Sequence, residues 1–150
     1  LRDEFAGASR AKGLAFNVDC AERPGERRLG DAERVARVAR HLVANAIRFT
    51  ETGSVAVSLE PDGPERAAIV VEDTGPGVPE AARRRIFEPF AQLDSSATRR
   101  VGGAGLGLAV VASLTRALGG EIALDAAPGG GARFTVRLPL PRVATATRAL

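Results

Sequence analysis

Between Asp31 and Thr50 the chain carries one long amphipathic period, and any fold it adopts must cover the apolar side of that segment. Val35, Val38 or Ala39, Leu42, Ala46 and Phe49 recur at spacings of three and four from Ala32 to Phe49, the signature of an α-helix with one buried face. Asp31 has the chemistry of an N-cap, with Arg34 three residues on in place of the Glu of a capping box. Thr50 to Gly53 breaks the period, and the next segment alternates. Val55, Val57 and Leu59 predict a strand, Pro61-Asp-Gly-Pro64 a turn, and the continuously apolar Ala68-Ile-Val-Val71 a central strand, together a hairpin.

The remaining segments supply partners for that helix and hairpin. Residues 2–11 predict a short helix ended by Gly13, and Leu14, Phe16 and Val18 a strand. The polar stretch 19–30, with Pro24, Gly25 and Gly30, reads as a loop. Pro79 opens a short helix running to about Ile86. Residues 87–104 show no sustained period. Gly105 to Leu118 is helical and apolar on one side, closed by Gly119-Gly120. Ile122 and Leu124 begin a strand, Pro128-Gly-Gly-Gly131 turns, and Phe134, Val136 and Leu138 alternate on the last strand. The expected fold is α+β: a two-layer α/β sandwich with a mostly antiparallel mixed sheet, about three main helices on one face and a more polar opposite face. Residues 1–141 form one domain, and 142–150, after Pro139 and Pro141, read as a linker toward a following domain.

Composition removes several function classes. At 150 residues the chain can bury one core, and no run of about 20 apolar residues could span a bilayer. Cys20 is the single cysteine, so no internal disulfide forms and a reducing, cytoplasmic setting fits best. The sequence contains no Met and reads as a piece of a longer protein, whose remainder could carry a membrane anchor. A pI near 10.3 would suit nucleic acid, but the net charge is only +3. Lys12 is the sole lysine, the arginines are scattered apart from Arg83-Arg84-Arg85, and there is no Trp or Tyr to stack on bases. Nucleic acid is therefore not an expected partner.

Three motifs carry chemistry. On the long helix His41, Asn45 and Arg48 stand at i, i+4 and i+7, one polar stripe apart from the apolar face. An amide oxygen at Asn45 is a hard neutral ligand suited to Mg²⁺, which keeps waters and phosphate oxygens and needs few protein ligands. Arg48 could reach phosphate or sugar from the same stripe. Asp73 follows a buried strand, and Gly75 and Gly77 let the backbone lie close to a flat ligand. A carboxylate there accepts from the exocyclic amine of adenine, whereas the carbonyl of guanine would leave it unpaired, so ATP is preferred over GTP. Gly102-Gly103-Ala-Gly105-Leu-Gly107 precedes a helix, whose free N–H groups and dipole bind phosphate. Neither a Walker loop nor a dinucleotide fingerprint fits it. The polar stretch before it is a lid candidate, with Arg99 or Arg100 touching phosphate on closure.

These residues resemble the ATP-binding catalytic domain of bacterial sensor histidine kinases, in the family that also holds gyrase, heat-shock chaperone and mismatch-repair ATPases. The resemblance covers Lys12 to Leu140, with His41–Thr50 similar to the N box, Asp73–Gly77 to the G1 box, Phe87–Phe90 to the F box and Gly103–Leu108 to the G2 box. Ile86-Phe-Glu-Pro-Phe-Ala-Gln-Leu-Asp-Ser-Ser resembles hybrid kinases, which implies a receiver domain beyond residue 150. The resemblance implies that Asn45 holds Mg²⁺, that Asp73 reads adenine, and that Gly103, Gly105, Leu106 and Gly107 wrap the phosphates. It implies that Phe87 and Phe90 dock the domain on partner helices, and that the γ-phosphate goes to a histidine on a separate dimerisation domain. The full-length protein would be a homodimer working with a response regulator or receiver domain.

Two positions depart from the pattern. His41 stands where kinases often carry Asn and the ATPase branches a water-activating Glu, which implies a poor hydrolase and leaves His41 as a phosphate contact. It is not read as the phosphoacceptor, because Leu42 rather than an acidic residue follows it. Ala104 stands where Thr is common. It keeps open an alternative, a catalytically degenerate module that senses nucleotide or docks proteins; a gyrase-type ATPase is disfavoured by position 41.

Overall fold

The computed structural model describes residues 1–91 and 107–144. The amphipathic segment forms α2 (Ala32–Phe49), and Asp31 caps it, its carboxylate accepting from the Arg34 N–H at 3.0 Å. Val38, Leu42, Val43, Ala46 and Ile47 are buried. Val43 and Ile47 widen the apolar face beyond the stripe legible in the sequence. The other described helices are α1 (Arg2–Ala11) and α3 (Gly107–Ala117).

The helices cover one face of a five-stranded sheet of order β1-β3-β4-β6-β5, formed by Ala15–Cys20, Ser54–Pro61, Arg66–Asp73, Ala132–Pro139 and Glu121–Ala126 respectively. β1 runs parallel to β3 and the other pairs are antiparallel. β4 lies in the middle, in keeping with its unbroken apolar run. Val55, Val57, Ile69, Val71, Phe134, Val136 and Leu138 face α2 and close the core. The opposite face is more polar, with Ala68 and Val70 buried among polar neighbours, and there Glu72 and Arg133, a cross-strand pair on β4 and β6, meet at 2.7 Å. The two-layer α+β expectation therefore describes the fold.

Two local expectations change. The helix predicted from Pro79 is a pair of 3₁₀ turns, Glu80–Ala82 and Arg85–Phe87. Only Ile86 in it is buried, and the turns close by short bonds such as Ala82 N–H to the Pro79 carbonyl at 2.9 Å. The stretch 19–30 contains a two-residue strand, β2 (Arg27–Arg28), antiparallel to β7 (Arg142–Val143). No alternation could signal a strand made of two arginines. Its cause is Arg28, whose guanidinium pairs with Glu22 and donates to the carbonyls of Arg66 at 2.8 Å and Leu140 at 2.7 Å. Both side chains of the Glu22–Arg28 pair are only 8% exposed. Arg28→Ala leaves the buried Glu22 carboxylate only its longer contact with Arg142, at 3.6 Å, and removes the bonds to the Arg66 and Leu140 carbonyls. Its expected cost is about 3–5 kcal/mol, read as a fall in the urea midpoint.

Candidate functional site

Asp73 ends the central strand β4, is 6% exposed, and turns directly into Gly75. Its Oδ1 accepts from the Gly75 N–H at 2.9 Å and the Ala132 N–H at 3.2 Å. Burial pushes its carboxyl above the ordinary aspartate range, and the two N–H donors offset part of that rise. A methyl group on Gly75 would lie 3.1 Å from Asp73 Oδ1, 3.2 Å from the Phe49 carbonyl oxygen and 3.3 Å from Thr50 Oγ1. The acidic turn is thus packed on the C-terminal end of α2, with room for backbone but little else. Thr74 ties the same turn to the start of β3, its hydroxyl accepting from the Ser54 N–H at 2.9 Å.

Along α2 the polar stripe falls as its spacing requires. His41, Asn45 and Arg48 are all half-buried. From His41 to Arg48 the helix rises roughly 10 Å, so the stripe leads from α3 to the Asp73 turn. At the far end a methyl on Gly107 would sit 4.0 Å from His41 Nδ1, which puts the first residue of α3 beside His41. Burial, and then the charge of Arg37, hold the His41 imidazole below its usual range, so it is neutral at physiological pH. At the near end Arg48 Nη2 donates to Asn45 Oδ1 at 3.2 Å. Lys12 reaches from α1 to the Ile47 carbonyl at 2.7 Å and the Arg48 carbonyl at 3.1 Å. The single lysine thereby satisfies terminal carbonyls of α2 and complements its dipole next to the site.

Of the residues singled out in the sequence, Asp73, Gly75 and Gly77 therefore share one corner with the end of α2, while Asn45, Arg48, His41 and Gly107 follow along the helix. Arg99, Arg100, Gly103, Gly105 and Leu106 lie outside the described residues, as does Ala104. Among the described residues no group of three or more His, Cys, Asp or Glu could hold a metal ion. A single amide oxygen does fit a Mg²⁺ that arrives already coordinated by phosphate and water. Phe87 packs edge-on against Phe134 with ring centres 6.2 Å apart, and Phe90 is 72% exposed at φ +62°. Beside Phe87 a groove of about 350 Å³ is lined by Arg83, Arg84, Ile122 and Leu124. Its residues are distinct from those of the Asp73–Asn45 wall.

No sequence motif singled out Gly131. Among Gly129, Gly130 and Gly131 only Gly130 has a positive φ, +92°, so the turn itself needs one glycine rather than three. Gly131 is required by contact: a methyl there would lie 1.9 Å from the Asp73 carbonyl oxygen and 2.7 Å from Asp73 Oδ1. Gly77 (φ +71°) approaches the same turn, where a methyl would be 3.3 Å from the Gly130 carbonyl oxygen. A run of three glycines where the turn needs one was the signal available in the sequence.

Comparison with known proteins agrees with this architecture. Residues 30–142 match the family described as histidine kinase-, DNA gyrase B-, and HSP90-like ATPase. The sensor histidine kinase RcsC of Escherichia coli (strain K12) is 41% identical over 111 residues, covering 74% of this chain and 12% of the relative. Hybrid signal transduction histidine kinase D of Dictyostelium discoideum is 39% identical over 142 residues, covering 91% of this chain and 9% of the relative. The chain thus spans only a small part of these curated relatives. The crystal structure of full-length ShkA in complex with AMPPNP superposes with a TM-score of 0.83 at 34% identity, over 98% of this chain and 30% of that one. The catalytic domain of the histidine kinase ThkA gives 0.76 at 26% identity, over 92% and 88%. With four boxes in order, the mixed sheet under the three described helices and these matches, the chain belongs to the histidine kinase-, DNA gyrase B- and HSP90-like ATPase family, as an ATP-binding domain of the sensor histidine kinase type.

Proposed function

We propose that this domain binds Mg-ATP against the Asp73–α2 wall and supplies the γ-phosphate to a histidine on a separate dimerisation domain. The observation that carries the reading is the buried Asp73 carboxylate, held on a glycine turn against the end of the helix that bears Asn45. In this reading Asp73 accepts from the adenine amine, and Gly75 and Gly77 leave space for the ring. Asn45 holds Mg²⁺, which when bound neutralises charge on the phosphates. Arg48, with Arg99, Arg100, Gly103, Gly105, Leu106 and Gly107, meets the triphosphate. His41, neutral and lacking the carboxylate of a Glu, contacts phosphate without driving hydrolysis.

Transfer breaks the bond between the γ-phosphorus and the bridging oxygen, forms a bond to an imidazole nitrogen, and leaves ADP. The groove beside Phe87, lined by both apolar and basic side chains, together with exposed Phe90, would receive the helices that carry the acceptor. A homodimeric parent with a receiver domain or a separate response regulator, working in the cytoplasm where ATP is supplied, completes the proposal. The relative named as a hybrid kinase supports the receiver. Among the described residues no helix is long and apolar enough to cross a membrane.

The test uses labelled ATP. The 150-residue chain is expected to bind nucleotide without labelling itself, and to label a dimerisation domain added in trans. Robust self-labelling by the chain alone contradicts this division of labour. Nucleotide binding with no phosphohistidine on the cognate dimerisation domain favours the degenerate alternative.

A further inference from the structure

Arg48 stands in an unusual place for a cation. Its Nη2 donates to the Asn45 amide oxygen at 3.2 Å, and its guanidinium carbon lies 4.8 Å from the centre of the Phe49 ring. Its Nε is buried with no hydrogen-bond partner among the described residues. No carboxylate among them forms a salt bridge with it. The guanidinium is thus held by an uncharged oxygen and an aromatic face, both weaker partners than an anion. That oxygen is also the proposed metal ligand.

We propose that Arg48 gates the amide oxygen of Asn45. The inference rests on the reading of Asn45 as the cation ligand. While the guanidinium donates to Oδ1, a divalent cation approaching that oxygen meets a competing donor and a like charge at hydrogen-bond distance. A phosphate chain changes the balance, because it offers the guanidinium an anionic, two-pronged partner in exchange for one hydrogen bond to an uncharged oxygen. Asn45 then becomes available to the cation. The domain admits its metal as a nucleotide complex and refuses the free ion. Arg48 acts here as a positioning residue.

Mn²⁺ without nucleotide is the probe, read by paramagnetic broadening of backbone amide signals on α2 around residue 45. Arg48→Met removes the donor and the charge and keeps an unbranched apolar stem. It is expected to bind Mn²⁺ about tenfold more tightly than the native chain, the order of one hydrogen bond to a charged group. Arg48→Ala serves the same purpose if the Met variant does not fold. The gain should persist at about 0.5 M salt, where long-range repulsion is screened, and should vanish when Asn45→Ala is added. Equal Mn²⁺ affinity in the native and Met variants overturns the gate, as does a gain that salt abolishes. The underlying assignment fails separately: if Asn45→Ala leaves the strengthening of ATP binding by Mn²⁺ intact, Asn45 is not the ligand. If that strengthening is lost while Arg48→Met gains nothing, the gate alone is wrong.

Discussion

Asp73→Asn is expected to bind ATP roughly a hundredfold more weakly than the native chain and to melt no lower. The two effects have one cause. Asp73 is buried, and burial raises its carboxyl above the ordinary value, so the ionised group is a cost to the fold that the Gly75 and Ala132 N–H groups only partly offset. An asparagine oxygen can accept from both N–H groups and carries no charge, so the fold keeps its bonds and sheds the penalty. The ligand loses a charge-assisted acceptor. The raised carboxyl also fixes the sign of the pH dependence. Below the unfolded value of about 3.9 both states hold the proton and the penalty is absent. As pH rises from there to the raised folded value, the native chain loses stability relative to Asp73→Asn; above it the difference is constant. Differential scanning calorimetry of the two proteins across that window checks it. A variant that melts well below the native chain at neutral pH would mean that the carboxylate is kept for the fold rather than for a ligand.

Gly131→Ala should be the most damaging single methyl at the site. The added carbon would lie 1.9 Å from the Asp73 carbonyl oxygen and 2.6 Å from the Asp73 carbonyl carbon. Both are backbone atoms of the central strand, so relief requires moving β4 from the start of β6 and breaking the Ala132 N–H contact that orients Asp73. Overpacking of this kind costs about 3 kcal/mol or more, and nucleotide affinity should fall with it because Asp73 loses its support. Gly7→Ala is the contrast. It sits inside α1 with nothing within 4 Å of the new methyl, and is expected to stabilise by about 0.5–1 kcal/mol. Urea titration of both variants, with nucleotide affinity measured alongside, reads the two signs.

The sequence was informative where a periodicity or a special backbone demand writes itself into residue type. Helix α2, its Asp31 cap, the β3–β4 hairpin and the central place of β4 were all legible, because each buries a face with a fixed period. Asp73 and the glycines beside it were legible as a turn that ends a buried strand. What escaped depends on contacts between segments far apart in the chain. β2 exists because Arg28 gathers Glu22 with the carbonyls of Arg66 and Leu140, and no local pattern encodes that. The helix expected after Pro79 is instead two 3₁₀ turns, in which Ile86 is buried and Ala82 and Phe87 pack more loosely on the core. Gly131 escaped because its reason is Asp73 on the neighbouring strand, far earlier in the chain, and not its own φ. The contact of Lys12 with the end of α2 likewise joins two helices across the fold.

The central claim is that the buried carboxylate at the end of β4 recognises adenine within a nucleotide held along α2. Calorimetric titration of the native chain with ATP and with GTP, each with Mg²⁺ present, tests it most directly. ATP should bind about ten- to a hundredfold more tightly than GTP, the difference made by leaving Asp73 against an acceptor instead of a donor. Equal affinity for the two nucleotides, or tighter binding of GTP, would contradict the account.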